Sequence, residues 1–349
     1  MTDNKKSNIK KILILRLSSL GDVLLTTPLL RILSKNFPDS EIDYVVADLY
    51  SETLVNNPYI SNLIIYDKKK SIFHPLKNPE LLKMKYDISI DLQYNLRTRI
   101  LTINKSKVNK HYSKQRLHKL SLIYFKKPLI EDFSVPLNYI QSINLNDIED
   151  DGLGLEFWLF KDRNANKYLP FSKKMVLKNN PEICIAPGAK HYTKRWTIEG
   201  FVELINKLKD FFDCKINLVG SRAEVEISEL IEKNVRFPVN NYCGKLSLTE
   251  TAELIDNSDL VISNDSGIMH IAAARRVPQV VIYGSTVPEF GFLPFRSHFE
   301  VVQQKLDCRP CSHIGRDKCP KNHFNCMNSI KADYVISKVN TIFNLLMKV

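Results

Sequence analysis

The chain has 349 residues, of which 44% are hydrophobic and 25% charged, a composition typical of globular proteins. It has no apolar run of the roughly 18 to 20 residues that a membrane span requires, and its first residues, MTDNKKSNIKK, lack the apolar core of a signal peptide, so a cytoplasmic location is expected. The net charge of +12 favours an acidic partner, such as a nucleic acid, an anionic lipid or a phosphorylated sugar.

Short apolar strands alternate with helical patterns from residue 10 to about 165, and the alternation resumes at residue 182. Residues 160–180 are polar and rich in lysine and asparagine, as expected of an interdomain connection. The length also suits two domains of about 150 to 180 residues each. The sequence therefore predicts an α/β fold with two Rossmann-like β/α/β domains, 1–165 and 181–330, that face a cleft.

The first strand–turn–helix pattern covers residues 11–27 and contains the turn Ser-Ser-Leu-Gly-Asp. A dinucleotide fingerprint needs three glycines here, and this turn has one, which disfavours a nucleotide at this end. Asp22 lies just inside the predicted helix start, where a carboxylate complements the helix dipole. A second interpretation is that the turn presents Asp22 to a ligand.

Residues 97–127 contain ten lysines or arginines and no acidic residue. A solvated helix face normally mixes both signs, so a block of one sign predicts a surface for a polyanion. The alternative is that the block only increases solubility.

The second half begins with a short strand, a Pro-Gly turn and a basic loop, residues 183–196, in which Thr193, Lys194 and Arg195 precede a helix. Lysine supplies a point charge and arginine a bidentate fork, so the loop suits a diphosphate. The alternative is a solvated loop packed by Trp196.

Residues 260–284 read as strand, polar turn, helix and second strand. In such a unit the turn lies at the carboxyl end of a parallel strand, where α/β sheets bind ligands. The N–H groups after Asp265 would favour a phosphate, with His270 one turn into the helix. The alternative is that these polar residues only cap the helix.

The seven cysteines fall into two groups. Three lie among apolar residues and are expected to be buried. The other four form a C-x2-C-x7-C-x6-C pattern, Cys308, Cys311, Cys319 and Cys326. This pattern resembles a zinc knuckle, but its spacing is loose, so a loop without metal is favoured over a zinc site.

Together these segments resemble glycosyltransferase family 9, the ADP-heptose:lipopolysaccharide heptosyltransferases, and in particular its heptosyltransferase II-like members. The matching stretches run in the family's order over nearly the whole chain: LRLSSLGDVLLTTPLLRIL (15–33), DLQYNLRTR (91–99), APGAKHYTKRW (186–196), NLVGSRAE (217–224), CGKLSLTETAELI (243–255), SNDSGIMHIAAA (263–274) and the cysteine segment 308–327. The family more often has threonine where this chain has Ser266, and serine keeps the hydroxyl.

The resemblance implies the GT-B architecture, with a last helix in residues 331–349 that crosses back to the first domain. It implies Asp22 as the catalytic base and Lys194 as the cation that neutralises the departing diphosphate. Arg97 and Arg99 would contact an acidic sugar of the acceptor. The donor-binding residues it implies are Thr193, Ser221, Glu224, Asp265, Ser266, Gly267 and His270. A carboxylate such as Glu224 suits the paired ribose hydroxyls, although an exposed glutamate at a helix start is the alternative.

The function expected from this resemblance is an inverting transfer of heptose from ADP-heptose to the inner core of lipopolysaccharide, without a metal or other cofactor. The acceptor would be an anionic, lipid-linked oligosaccharide, which implies a cytoplasmic enzyme in peripheral contact with the inner membrane and no nucleic-acid partner. Three alternatives stay open: a same-fold transferase that uses another nucleotide sugar, a nucleic-acid-binding protein with a zinc knuckle, and a non-catalytic binder of sugar nucleotides.

Overall fold

The computed structural model describes residues 9–67, 84–145, 148–162, 164 and 178–347. The chain forms two compact units, the first drawn from Met1–Lys114 and Val135–Pro170 and the second from Gln115–Ser134 and Phe171–Val349. The second unit thus includes residues 115–134, which the sequence-based division kept in the first half. The predicted connection at 160–180 lies mostly outside the described residues.

The elements alternate along the chain as predicted. The strands are β1 (Lys11–Leu15), β2 (Glu41–Ala47), β3 (Asn62–Tyr66), β4 (Tyr86–Asp91), β5 (Ser106–His111), β6 (Glu182–Ala186), β7 (Lys215–Leu218), β8 (Asn240–Asn241), β9 (Leu260–Asn264), β10 (Gln279–Tyr283) and β11 (Phe299–Gln303). The helices are α1 (Leu20–Leu24), α2 (Thr27–Asn36), α3 (Leu96–Thr102), α4 (Arg116–Phe125), α5 (Val135–Ser142), α6 (Ile198–Phe211), α7 (Val225–Asn234), α8 (Leu248–Asn257), α9 (Gly267–Ala274), α10 (Asn325–Asn328) and α11 (Ala332–Met347).

The first unit contains a parallel sheet with the strand order β3-β2-β1-β4-β5. Its central strand β1 is buried from Ile12 to Leu15, as expected for a parallel strand that is covered on both faces. The strand order reverses between β1 and β4, and ligands of open α/β sheets bind at such a point, beyond the carboxyl ends of the strands.

The second unit repeats this arrangement with the order β8-β7-β6-β9-β10-β11, again all parallel. Strands β9 and β10 are buried over their whole length. Helix α11 packs against α6 and β11 through an apolar face that includes Val335, Val339 and Phe343. Here the order reverses between β6 and β9, which makes the carboxyl ends of these strands the expected ligand site.

None of the helices in the described part of the chain is both long enough and apolar enough to cross a bilayer.

Candidate active site

The first candidate site lies at the carboxyl ends of β1 and β4. Asp22 is in the first turn of α1, and its carboxylate accepts hydrogen bonds from the Ser19 N–H at 3.0 Å and the Ser19 hydroxyl at 2.7 Å. The guanidinium of Arg16, the residue directly after β1, pairs with the other carboxylate oxygen at 2.7 Å. Gln93, just past β4, accepts the Leu17 N–H at 2.8 Å and so ties the two strand ends together.

The electrostatic environment of Asp22 keeps it ionised. Burial by itself raises the pKa of this carboxyl. The charge of Arg16 and the hydrogen bonds from Ser19 together lower the pKa by more than burial raises it, so the pKa lies below its usual value. The side chain of Asp22 is 19% exposed, so it is not fully enclosed by the protein. The helix-start interpretation of Asp22 is therefore confirmed, and a catalytic role for the same residue stays a prediction.

Arg97 and Arg99 lie on α3, which follows the carboxyl end of β4. Arg99 is exposed and places its guanidinium over the ring of Tyr94, 5.7 Å from the centroid, and Tyr94 in turn stacks on His111 at 4.1 Å. Arg97 is half-buried. Within the described residues, no hydrogen bond or ion pair joins either arginine to Asp22, so the structure places them on the same end of the sheet without direct contact.

The second candidate site lies at the carboxyl ends of β6, β9 and β10, where it brings together two of the predicted residues. The ammonium of Lys194 pairs with the Asp265 carboxylate at 2.6 Å, and both side chains are largely buried, with 16% and 9% exposed. The Thr286 hydroxyl donates to the same oxygen of Asp265 at 2.6 Å. One cation is thus held in place at the end of the sheet where an anionic ligand is expected.

Thr193 connects this cluster to the rest of the unit. Its buried hydroxyl accepts from the Ser285 hydroxyl and from the Arg316 N–H, both at 2.8 Å. The loop before Lys194 is therefore fixed on two sides. These two bonds occupy both acceptor positions of the hydroxyl and give Thr193 a positioning role. Its O–H can still donate to a phosphate, so the predicted contact with the sugar-nucleotide donor stays a prediction.

Asn264, the last residue of β9, also holds the basic loop in place. Its side-chain oxygen accepts the Trp196 N–H at 3.0 Å, and its amide donates to the carbonyl of Pro187 at 2.8 Å. The side chain is completely buried. It thus joins the end of β9 to both ends of the basic loop. Trp196 is buried and packs the loop, as in the alternative interpretation, so the role of the loop in binding a diphosphate stays a prediction.

Helix α9 begins directly behind the Lys194–Asp265 pair. Ser266 is its N-cap residue, but its hydroxyl makes no capping hydrogen bond. In the described part of the chain this buried oxygen has no hydrogen-bond partner, and a buried polar atom without a partner is a feature that a bound ligand or water would explain. Gly267 opens the helix and His270 is buried one turn further on. The three residues therefore lie at the positive end of the helix dipole, as the sequence predicted.

Glu224 and Ser221 lie just past β7. One oxygen of the Glu224 carboxylate accepts the Ser221 N–H at 2.7 Å and the Ser221 hydroxyl at 2.5 Å, which closes a capping box. The other oxygen makes no hydrogen bond within the described residues. Gly188, at the end of β6, allows this packing, because a Cβ there would lie 2.0 Å from Glu224 Cγ. The structure thus brings Glu224 next to the basic loop.

The cysteines separate as expected. Cys184, Cys214 and Cys243 are buried in the second unit. The other group, Cys308, Cys311, Cys319 and Cys326, lines one small cavity together with His323 and the Thr193–Ser285 pair. All of these thiols are free.

This cavity does not have the features of a formed metal site. Burial raises the pKa of Cys311 and raises that of Cys326 to about 11, so both thiols are protonated at neutral pH without a metal, and a metal ion would have to displace these protons on binding. Cys308 Sγ lies 3.9 Å from His323 Nε2. Across the ranges that the structure describes, no three histidine, cysteine or acidic side chains converge as metal ligands. The loop without metal that the sequence favours therefore stays a prediction.

Three residues at these sites were missed as site residues by the sequence analysis: Arg16, Ser285 and Thr286. Each comes within three residues of the end of a buried parallel strand, and this was the signal that could have identified them. A polar side chain in that position lies at the ligand-binding end of its sheet.

The comparisons with known proteins agree with this geometry. Residues 78–321 match glycosyltransferase family 9 (heptosyltransferase). The chain is 26% identical over 331 residues to lipooligosaccharide heptosyltransferase 2 of Campylobacter jejuni, covering 93% of this chain and 95% of that protein. It is also 26% identical over 356 residues to the lipopolysaccharide core heptosyltransferase OpsX of Haemophilus influenzae, covering 95% and 97%.

Solved structures show the same fold. A glycosyl transferase family 9 structure from Veillonella parvula superposes with a TM-score of 0.75 at 22% identity, over 96% of this chain and 97% of that one. The Escherichia coli ADP-heptose lipopolysaccharide heptosyltransferase II gives 0.69 at 20% identity, over 96% and 99%. The predicted GT-B fold class of two Rossmann-like units is thereby confirmed, and the enzyme class replaces the nucleic-acid-binding alternative. Since the family match spans more than half of the chain, this protein belongs to glycosyltransferase family 9, the heptosyltransferases.

Proposed function

We propose that this enzyme transfers heptose from ADP-heptose to the inner core of lipopolysaccharide, with inversion at the anomeric carbon and without a divalent metal. The observation that carries the proposal is the Lys194–Asp265 pair at the N-terminus of α9, beside the unpartnered Ser266 hydroxyl. A buried cation next to free N–H groups stabilises the charge that develops on a departing diphosphate. The names of the relatives supply the sugar and the acceptor.

The donor contacts follow from the second unit. Lys194 would neutralise the diphosphate while Asp265 holds its ammonium in place. The N–H groups of Ser266 and Gly267 would donate to phosphate oxygens, and His270 would complete the phosphate and sugar contacts. In Glu224, the carboxylate oxygen that the capping box leaves free would accept from the ribose hydroxyls, with Ser221 keeping the side chain in place.

The acceptor chemistry is assigned to the first unit. An acceptor hydroxyl oxygen forms the new bond to the anomeric carbon, the bond from that carbon to the diphosphate breaks, and ADP leaves. The hydroxyl proton passes to Asp22, which is ionised at neutral pH as a base must be. Because Arg16 lowers its pKa, Asp22 is a weak base, so we expect proton transfer to be late, when the attacking oxygen is already acidic.

Thermal unfolding with nucleoside diphosphates tests the donor. A ligand present at a hundredfold excess over its Kd stabilises the folded state by about 2.7 kcal/mol, which raises the Tm of a unit of about 200 residues, the size of the second unit, by roughly 5 to 10 °C. ADP is expected to give this shift with or without EDTA. A shift with UDP or GDP and none with ADP would replace ADP-heptose by another nucleotide sugar and leave the family assignment unchanged.

Mass spectrometry of core oligosaccharide from a strain that lacks the protein tests the acceptor. The expected product is a core truncated before a heptose, and the point of truncation identifies the accepting sugar. An unchanged core would contradict the proposal.

A further inference from the structure

Helix α4 carries apolar side chains on its outer face. Leu117, Leu120 and Tyr124 are 75%, 47% and 73% exposed, and their i, i+3, i+7 spacing puts them in one stripe. Phe125, at the end of the helix, is 74% exposed. A helix of a globular protein normally buries its apolar stripe, so this one is not explained by folding of the unit that carries it.

The opposite face of α4 already supplies the contacts that hold the helix. His118, Ser121 and Leu122 are buried there. The His118 ring accepts the N–H groups of Leu129 and Ile130 at Nδ1, both at 3.2 Å, and its Nε2 lies 3.0 Å from the Glu289 carbonyl. Rolling the helix to bury the outer stripe would break these bonds.

The chain after α4 is fixed to the second unit as well. Phe133 packs against Gly291, where a Cβ would lie 2.8 Å from the ring and where φ is +82°. The Lys126 ammonium donates to the Pro310 carbonyl at 2.8 Å. Helix α4 and the chain after it are therefore fixed to the second unit, with the apolar stripe of the helix on the outside.

The charged residues beside the stripe indicate which kind of partner the stripe would bind. Arg116, Lys126 and Lys127 flank it and are exposed, and all ten charged residues between 97 and 127 are basic. The next acidic residues after this basic block are Glu131 and Asp132, which come after the stripe has ended. Apolar and aromatic side chains bordered by cations favour the boundary of an anionic bilayer, because lysine and arginine contact headgroup phosphates while the apolar groups enter the acyl boundary.

We propose that α4 and the following residues to Leu129 form an interfacial anchor, which rests on an anionic membrane surface. Leu117, Leu120, Tyr124 and Phe125 enter the bilayer boundary, and the flanking cations bind the headgroups. The anchor extends the proposed function, in which the acceptor is lipid-linked, by naming the part of the enzyme that meets the membrane. Its evidence, the exposed stripe and the one-sign charge, does not depend on which sugar is transferred.

Vesicle co-sedimentation with the purified full-length chain tests the anchor. The wild type is expected to bind vesicles that contain phosphatidylglycerol, to bind pure phosphatidylcholine far less, and to lose affinity as salt rises. The combined variant Leu117→Ser, Tyr124→Ser and Phe125→Ser is expected to bind about tenfold or more weakly. A matched control, Phe211→Ser with Leu230→Ser, removes apolar residues that are 64% and 43% exposed elsewhere on the second unit and is expected to bind as the wild type does.

A second set of variants tests the role of the charges. The double variant Arg116→Gln with Lys127→Gln removes two cations beside the stripe, and Lys233→Gln with Lys331→Gln is its control, since all four side chains are exposed. The first pair is expected to weaken binding to phosphatidylglycerol vesicles and to flatten its salt dependence, and the control pair to do neither. In Tyr124→Trp, the indole emission is expected to shift to the blue on anionic vesicles. ADP-induced stabilisation and Tm of each variant establish that it is folded.

Three results would overturn the anchor. The first is a wild type that does not bind anionic vesicles, and the second is an equal loss of vesicle binding in the apolar variant and its control. The third is a wild-type dimer that the apolar variant converts to monomer, which would make the stripe a self-association face. A chain that binds vesicles but transfers no heptose would refute the proposed function and leave the anchor standing.

Discussion

Replacing Lys194 with alanine tests the cluster on which the donor site depends. In this variant the Asp265 carboxylate, 9% exposed, would still accept the hydrogen bond from the Thr286 hydroxyl. It would lose the only cation that pairs with it in the described residues. Breaking a fully buried pair costs roughly 3 to 5 kcal/mol, and the 16% exposure of Lys194 lowers our expectation to about 2 kcal/mol. Adding Asp265→Asn removes the stranded charge, so the double variant is expected to regain about half of that loss in the free energy of unfolding.

The affinity for ADP distinguishes the role of Lys194 from that of Asp265. A hydrogen bond to a charged group contributes about 1.5 to 3 kcal/mol, so Lys194→Ala is expected to weaken ADP binding roughly 10- to 150-fold. Asp265→Asn removes a negative charge beside the diphosphate and is expected to leave ADP affinity the same or higher, although Lys194 is then less well held. Lys190→Ala, an exposed lysine of the same loop, is the control.

Chemical denaturation and calorimetric titration measure these effects. The argument fails if Lys194→Ala binds ADP as tightly as the Lys190 control, or if Asp265→Asn relieves none of the stability lost with Lys194.

Three further predictions concern the other residues. Asp22→Asn is expected to lower kcat about a hundredfold or more with little change in ADP affinity, and near-normal turnover would confine Asp22 to its helix-start role. Arg97→Gln with Arg99→Gln is expected to raise the acceptor KM and flatten its salt dependence at unchanged ADP affinity, whereas unaltered acceptor kinetics would remove both arginines from the mechanism. Elemental analysis of tag-free protein is expected to find less than stoichiometric metal, with full stability in Cys308→Ser and Cys311→Ser, and about one zinc per chain would contradict this.

The sequence by itself determined the fold class and the ends of the sheets where the sites lie. Apolar runs such as β1 and β9, each short and followed by small polar residues and a helix, favour parallel strands joined by helical crossovers. Because all carboxyl ends of a parallel sheet share one edge, Asp22, Lys194 and Asp265 could be assigned to ligand-binding ends from their positions alone. The sequence also predicted a helix after the basic loop, and α6 begins there, with Thr197 as its N-cap residue.

Tertiary structure decided how those residues are paired. Arg16 and Asp22 are six residues apart, but Lys194 and Asp265 are separated by more than a full strand–helix repeat, and no local pattern encodes their 2.6 Å contact. The same holds for Asn264, which reads as a helix-capping residue and instead holds both ends of the basic loop.

The surface of α4 gives the clearest contrast. Its sequence shows a basic, aromatic stretch, but the direction of each side chain depends on which face packs. His118 and Leu122 face the second unit because the Glu289 carbonyl and the chain at 129–130 lie there. That packing leaves Leu117, Leu120 and Tyr124 outside, since helical geometry puts them on the opposite face once the inner one is fixed.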